Sequence, residues 1–165
     1  MGVWAVAVMF AIAMSAPGWA QSADAARSNE TSLAPYALAL AVMASWAILM
    51  TVLLFLSVAG TPKAKTESGH PVRDYSDPAY RRNRAFQNAI ETTGPFLAAI
   101  LAAILVGASP FWTNLLALIF LVARMAMAAV HIGTEIQPLR SALWGIGLLC
   151  IIGLALMALF GAFAL

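Results

Sequence analysis

The amino-acid sequence predicts an all-α integral membrane protein whose main part is a four-helix transmembrane bundle. Hydrophobic residues make up 62% of the chain and charged residues only 10%, whereas a soluble chain is about half apolar and about a quarter charged. The apolar residues form four long segments, each sufficient to cross a hydrocarbon core of about 30 Å. Most charged residues fall between those segments, so the surplus of apolar side chains requires lipid around it.

Residues 1–25 precede these segments and are typical of a secretory signal peptide. Their apolar run at 3–14 is short for a membrane span. Small residues around Ala20 and Ala25 suit cleavage by signal peptidase. We therefore divide the chain into a signal peptide at 1–25 and a membrane domain at 26–165, and the alternative is an extra N-terminal helix that is retained.

Turn-forming residues separate the four predicted helices. Glycine and proline interrupt the apolar pattern at 60–62, at 107–110 and at 133–138, and both residue types disfavour continuation of a helix. The predicted spans are therefore 33–59, 84–106, 111–132 and 139–165.

The longest connecting loop, 61–83, carries most of the positive charge. Its cations are Lys63, Lys65, Arg73, Arg81 and Arg82. Loops rich in Lys and Arg stay on the cytoplasmic side of a membrane. We therefore expect a multi-pass protein of a bacterial inner membrane, with loop 61–83 in the cytoplasm and both ends of the four-helix unit outside.

Six polar residues lie within or at the edge of the predicted spans, where a polar group needs a partner or a ligand. They are Arg84, Asn88, Glu91, Arg124, His131 and Arg140. The three on the second helix are separated by four and then three residues, so they share one face. The two on the third helix are seven residues apart and also share a face.

These residues have two interpretations. Glu91 lies about 10 Å inside the cytoplasmic end of its helix, and Arg124 is only a little deeper, so a salt bridge between them would hold the bundle together as a buried polar network. That pair leaves Arg84 and Arg140 as excess cations near the same face. Excess buried positive charge favours an anionic ligand.

Composition argues against several other functions. One cysteine, Cys150, and two histidines, of which His70 lies in a polar loop, do not suit a metal site. Phosphate-binding and nucleophile motifs are not found. The basic residues flank membrane spans without interleaved aromatics, which argues against nucleic acid as a partner.

Two motifs carry a family resemblance. Residues 84–91 read Arg-Ala-Phe-Gln-Asn-Ala-Ile-Glu. The third helix adds Arg124, with His131 seven residues later and Arg140 sixteen residues later, after a loop that contains proline. With the four spans and the long first loop, this pattern resembles the MAPEG family, the membrane-associated proteins in eicosanoid and glutathione metabolism. The resemblance covers about 33–165 and is closest in motif spacing to the microsomal glutathione transferases.

The resemblance implies a homotrimer that binds glutathione between neighbouring protomers near the cytoplasmic face. Arg84 and Asn88 would then contact the peptide and carboxylates of glutathione, and Glu91 would face its amine. Arg124 would support the site.

The resemblance also implies a chemistry for Arg140 and His131, which would stand near the glutathione thiol. A neighbouring cation lowers the pKa of a thiol. The thiolate would attack a lipophilic electrophile or reduce a lipid hydroperoxide.

Three positions depart from the family pattern. His131 stands where many members carry Tyr, and Phe86 and Thr92 differ from the corresponding residues of eicosanoid-producing members. These departures argue against eicosanoid synthesis and leave catalytic activity itself open.

Two functions follow from these observations. The first is a glutathione-dependent transferase or peroxidase acting on lipophilic substrates. The alternative is a non-enzymatic MAPEG-like scaffold or accessory subunit of a membrane complex. A transporter or channel is disfavoured, because the charges gather at one face and do not line a path across the bilayer.

Overall fold

The four apolar segments of the sequence form four long α-helices. The computed structural model describes residues 33–60 and 64–165, and these residues form no β-strand. The helices are α1 (Ala37–Val58), α2 (Pro78–Leu105), α3 (Pro110–Gly133) and α4 (Gln137–Ala162). Each is long and apolar enough to cross a membrane, so the predicted all-α bundle of an integral, multi-pass membrane protein is confirmed.

The chain divides into two units, Met1–Pro35 and Tyr36–Leu165. Only residues 33–35 of the first unit are described, and Ala34 and Pro35 belong to a short 3-10 turn at Ala34–Tyr36. The predicted signal peptide or extra helix at 1–25 lies outside the described residues. The second unit contains the four helices.

Helix α2 begins at Pro78, six residues before the start that the apolar pattern predicts. Asp77 caps it, because its Oδ1 accepts a hydrogen bond from the backbone N–H of Ala79 at 2.9 Å. Proline suits the first position of a helix, since it has no N–H that would need a partner there. The first turns of α2 are polar, which explains why hydrophobicity alone located its start too late.

The turn between α2 and α3 requires a glycine. Gly107 has φ +68°, a left-handed conformation that disfavours a side chain. The N–H of Ala108 donates to the carbonyl of Ala103 at 2.9 Å, which closes the end of α2. The hydroxyl of Tyr36 donates to the carbonyl of Ala108, so the start of α1 is tied to this turn.

The core of the bundle is an aromatic cluster of Trp46, Phe96 and Phe120. Phe96 and Phe120 stack at 3.8 Å between ring centroids, and Trp46 meets Phe120 edge-on at 5.1 Å. The indole N–H of Trp46 donates to Oγ1 of Thr93 at 3.2 Å, which satisfies its one buried donor. Helices α2 and α3 pack against each other, and α1 and α4 each pack against both.

The outer faces of the helices are apolar. Ile48, Phe55, Leu149 and Phe160 are each exposed over about two-thirds of their surface. A patch of this extent on a soluble monomer would be unusual, and contact with the lipid bilayer accounts for it.

Candidate functional site

A polar cavity of about 480 Å³ lies at the end of the bundle where α2 and α4 begin and α3 ends. We call this the loop end, because the loop 64–77 lies there. Five of the six polar residues singled out in the sequence line the cavity: Arg84, Asn88, Glu91, His131 and Arg140. The other lining residues are Arg73, Tyr75, Met127, Glu135, Gln137, Ser141 and Trp144.

The predicted stripe on α2 faces the cavity. Arg84, Asn88 and Glu91 all line it, as expected for residues four and three apart on a helix. Nη1 of Arg84 donates to Oε1 of Glu91 at 2.8 Å. Their side chains are 35% and 53% exposed, so this ion pair remains accessible from the cavity.

The predicted salt bridge between Glu91 and Arg124 is wrong. Arg124 is only 3% exposed, and its Nη1 donates to Oδ1 of Asn88 at 3.2 Å. Glu91 lies on the open side of the stripe, where Arg84 reaches it across two helical turns. Equal depth in the membrane did not bring the charges together, because Arg124 approaches α2 at Asn88, behind the cavity wall.

Arg124 occupies a layer directly behind the main cavity. Its guanidinium lies over the ring of Phe120 at 5.4 Å and against Gly147 of α4, where a Cβ atom would lie 2.9 Å from Nε of Arg124. Nε and Nη2 have no hydrogen-bond partner among the described residues. Arg124 therefore supports Asn88 from behind and does not line the main cavity.

His131 lies between the main cavity and the buried space around Arg124. It lines the main cavity and also a smaller one, of about 10 Å³, which it shares with Arg124 and Asn88. A space of that size is at the lower limit for one water molecule. His131 is 4% exposed, and neither ring nitrogen has a hydrogen-bond partner within 33–60 and 64–165.

Tyr75, which is not among the predicted site residues, contacts both His131 and Arg140. Its ring stacks on the imidazole of His131 at 6.0 Å between centroids, and Cζ of Arg140 lies 4.3 Å from the centroid of the same ring. A guanidinium over an aromatic face within about 6 Å is attracted to it. The only sequence signal for this role is an aromatic residue in an otherwise polar loop.

Arg73 and Glu135 also line the cavity but are not among the predicted site residues. Arg73 belongs to the positive charge that is expected to orient the loop, yet it also lines the cavity, with its Cζ 5.6 Å from the ring centroid of Tyr75. Oε1 of Glu135 pairs with Nη1 of Arg81 at 3.4 Å. No spacing rule links a loop residue to a helix face, so sequence reasoning could not find them.

The charges of the cavity match a zwitterionic, anionic ligand. Three guanidinium groups, those of Arg73, Arg84 and Arg140, line it together with the carboxylates of Glu91 and Glu135. Arginine binds carboxylates through paired hydrogen bonds, and a carboxylate binds an ammonium group. Trp144 lines the same cavity and is 38% exposed, so the wall also offers apolar surface.

Comparison with known proteins adds a family relationship. The model of the MAPEG family matches residues 39–160. That range includes nearly all of the four helices and all six predicted site residues. A search of curated proteins finds no match.

Proposed function

The chain belongs to the MAPEG family, and from this premise we propose that it is a membrane-embedded, glutathione-dependent transferase or peroxidase. The observation that carries the proposal is the charge pattern of the 480 Å³ cavity. Glutathione has two carboxylates, one ammonium group and one thiol. The cavity presents cations for the carboxylates and a carboxylate for the ammonium group.

The ion pair of Arg84 and Glu91 suits the α-amino acid end of glutathione. There an ammonium group and a carboxylate are bonded to the same α-carbon. The protein must therefore place a hydrogen-bond donor for the carboxylate next to an acceptor for the ammonium group. Arg84 and Glu91 are 2.8 Å apart and accessible. In the proposed complex Arg84 binds the carboxylate, Glu91 binds the ammonium group, and Asn88 binds the peptide.

Arg140 and His131 are proposed to lie near the thiol. The guanidinium of Arg140 would stabilise the thiolate, which is the reactive form. The thiolate would form an S–C bond with a lipophilic electrophile as the leaving group departs. Alternatively it would attack the terminal oxygen of a hydroperoxide and release an alcohol, and a second glutathione would then give the disulfide and water.

The proposal extends to assembly and location. We propose a homotrimer in a bacterial inner membrane, with residues 61–83 in the cytoplasm, where glutathione is available. Native mass spectrometry would measure the subunit number. Labelling of Glu67→Cys with an impermeant maleimide should occur in inside-out vesicles and fail in intact cells, since Glu67 is exposed in that loop.

Calorimetric titration with glutathione tests the proposed function. The purified protein should bind glutathione with micromolar to low-millimolar affinity, and Arg84→Ala should lose that binding. Lys65→Ala is the matched control, because Lys65 is an exposed loop cation that does not line the cavity. Arg140→Ala should keep binding and lose turnover of a model electrophile.

Failure of the wild-type protein to bind glutathione would reject this function. The scaffold or accessory-subunit function would then take its place, with lipid headgroups as the anions in the cavity. Retained turnover in Arg140→Ala would reject the role given to Arg140 alone.

A further inference from the structure

The loop residue Tyr75 contacts both residues that we place near the thiol. Its ring lies 4.3 Å from Cζ of Arg140 and 6.0 Å from the ring centroid of His131. The angle between the Tyr75 and His131 rings is 28°, so they stack. A single side chain from outside the helices therefore touches both Arg140 of α4 and His131 of α3.

The backbone at Tyr75 is held firmly. Its carbonyl accepts a hydrogen bond from Nη1 of Arg81 at 2.7 Å, and Nε of the same arginine donates to the carbonyl of Ile132 at 3.0 Å. Nearby, Oδ1 of Asp74 accepts from the backbone N–H and the hydroxyl of Ser76 at 2.9 and 2.7 Å. The loop is thus fastened to the start of α2 and the end of α3, which gives the ring a defined position.

The carboxylates of the cavity do not hold Arg140. Glu91 pairs with Arg84, and Glu135 pairs with Arg81. Arg140 is 9% exposed, and its Nη1 is buried without a hydrogen-bond partner in the described part of the chain. The aromatic ring of Tyr75, 4.3 Å from Cζ of Arg140, is therefore the contact that holds this guanidinium.

We infer that Tyr75 is a positioning residue, whose ring holds the guanidinium of Arg140 and the imidazole of His131 in the orientation that the thiol chemistry needs. The catalytic part of this inference rests on the proposed function. A group held in place before the reaction stabilises charge without reorganisation. Loss of the ring should therefore slow turnover more than it weakens glutathione binding.

Chemical modification of Arg140 tests the positioning without any need for activity. Phenylglyoxal modification would be followed by peptide mass spectrometry in the wild type, Tyr75→Phe and Tyr75→Leu. We expect modification of Arg140 to be about tenfold faster in Tyr75→Leu, the size expected for loss of one partly buried cation–π contact. Tyr75→Phe keeps the ring and should match the wild type. Arg82, which does not line the cavity, provides the internal reference.

Kinetics of the same variants test the catalytic part. Tyr75→Leu should lower kcat about tenfold and leave KM for glutathione within about twofold. Tyr75→Phe keeps the ring and should therefore retain a larger kcat than Tyr75→Leu. Thermal unfolding would verify that each variant is folded, and Tyr75→Met is a second non-aromatic variant should Tyr75→Leu not fold.

The outcomes separate the two proposals. Unchanged modification of Arg140 in Tyr75→Leu overturns the inference, and so does an equal increase in Tyr75→Phe, which would assign the effect to the hydroxyl. A wild-type protein that neither binds nor turns over glutathione overturns the proposed function, while faster modification in Tyr75→Leu would still support the positioning of Arg140.

Discussion

Replacing Gly147 with alanine should destabilise the bundle, because it forces Arg124 out of its buried position. The added Cβ atom would lie 2.9 Å from Nε, 3.2 Å from Cζ and 3.3 Å from Nη2 of Arg124. The guanidinium can retreat only into the adjacent cavity of about 10 Å³, since it is 3% exposed and bonded to Oδ1 of Asn88 at 3.2 Å. That hydrogen bond is already at the long end of the normal range, so a shift of a few tenths of an ångström would break it.

The size of the effect follows from two opposing terms. Inserting a methyl group into a packed interior costs about 1–3 kcal/mol. Alanine in place of glycine within a helix returns about 1 kcal/mol. Gly145, on the same helix, is the matched control, because nothing lies within 4 Å of the Cβ position there. Gly147→Ala should therefore be less stable than Gly145→Ala by about 1–3 kcal/mol.

Equilibrium unfolding in mixed detergent, followed by circular dichroism, would measure the difference. The same pair of variants in an Arg124→Leu background completes a double-mutant cycle. The penalty of Gly147→Ala should disappear there, because the atoms that it meets are gone. Equal stability of the two alanine variants, or a penalty that persists without Arg124, would refute the reasoning.

Two further predictions concern the ion pair and the aromatic core. Glu91→Gln should change the free energy of unfolding by less than about 1 kcal/mol, because the ion pair of Glu91 with Arg84 is exposed. A larger loss of stability in the same unfolding assay would mean that Glu91 also stabilises a buried charge. Glutathione binding by Glu91→Gln should nonetheless weaken about tenfold, the size of one charge-assisted hydrogen bond, and unchanged affinity in calorimetry would remove Glu91 from the proposed site. Phe120→Ala should cost about 3–5 kcal/mol, whereas Phe111→Ala, at a residue 66% exposed, should cost far less; similar losses in the two variants would contradict the placement of the core.

The number and order of the helices could be predicted from the sequence, because long apolar segments and helix-ending residues are both recognisable from residues that are close together in the chain. Proline and glycine located the start of α3 to within one residue and that of α4 to within two. The start of α2 was missed by six residues, since Asp77 and Pro78 begin a polar turn that a hydrophobicity pattern does not register.

The site was predictable only where one helix carries several of its residues. The stripe of Arg84, Asn88 and Glu91 follows from helical periodicity, and all three line the cavity. The partner of Arg124 depends on how α3 is rotated against α2, which its depth in the membrane does not determine. Tyr75 reaches the site from a loop, and loops have no periodicity from which a direction could be read.

The aromatic cluster and the polar cavity lie at different positions along the axes of the same helices. On α2, Glu91 lines the cavity, while Phe96, little more than one turn further along, is fully buried among aromatic rings. Apolar packing therefore maintains the fold at a depth beyond the main cavity, and residues that line only that cavity can change without disturbing the aromatic cluster. Such an arrangement lets the polar surface of the cavity change by substitution at a few positions, so the cavity of a bundle like this one can diverge over evolution faster than its architecture.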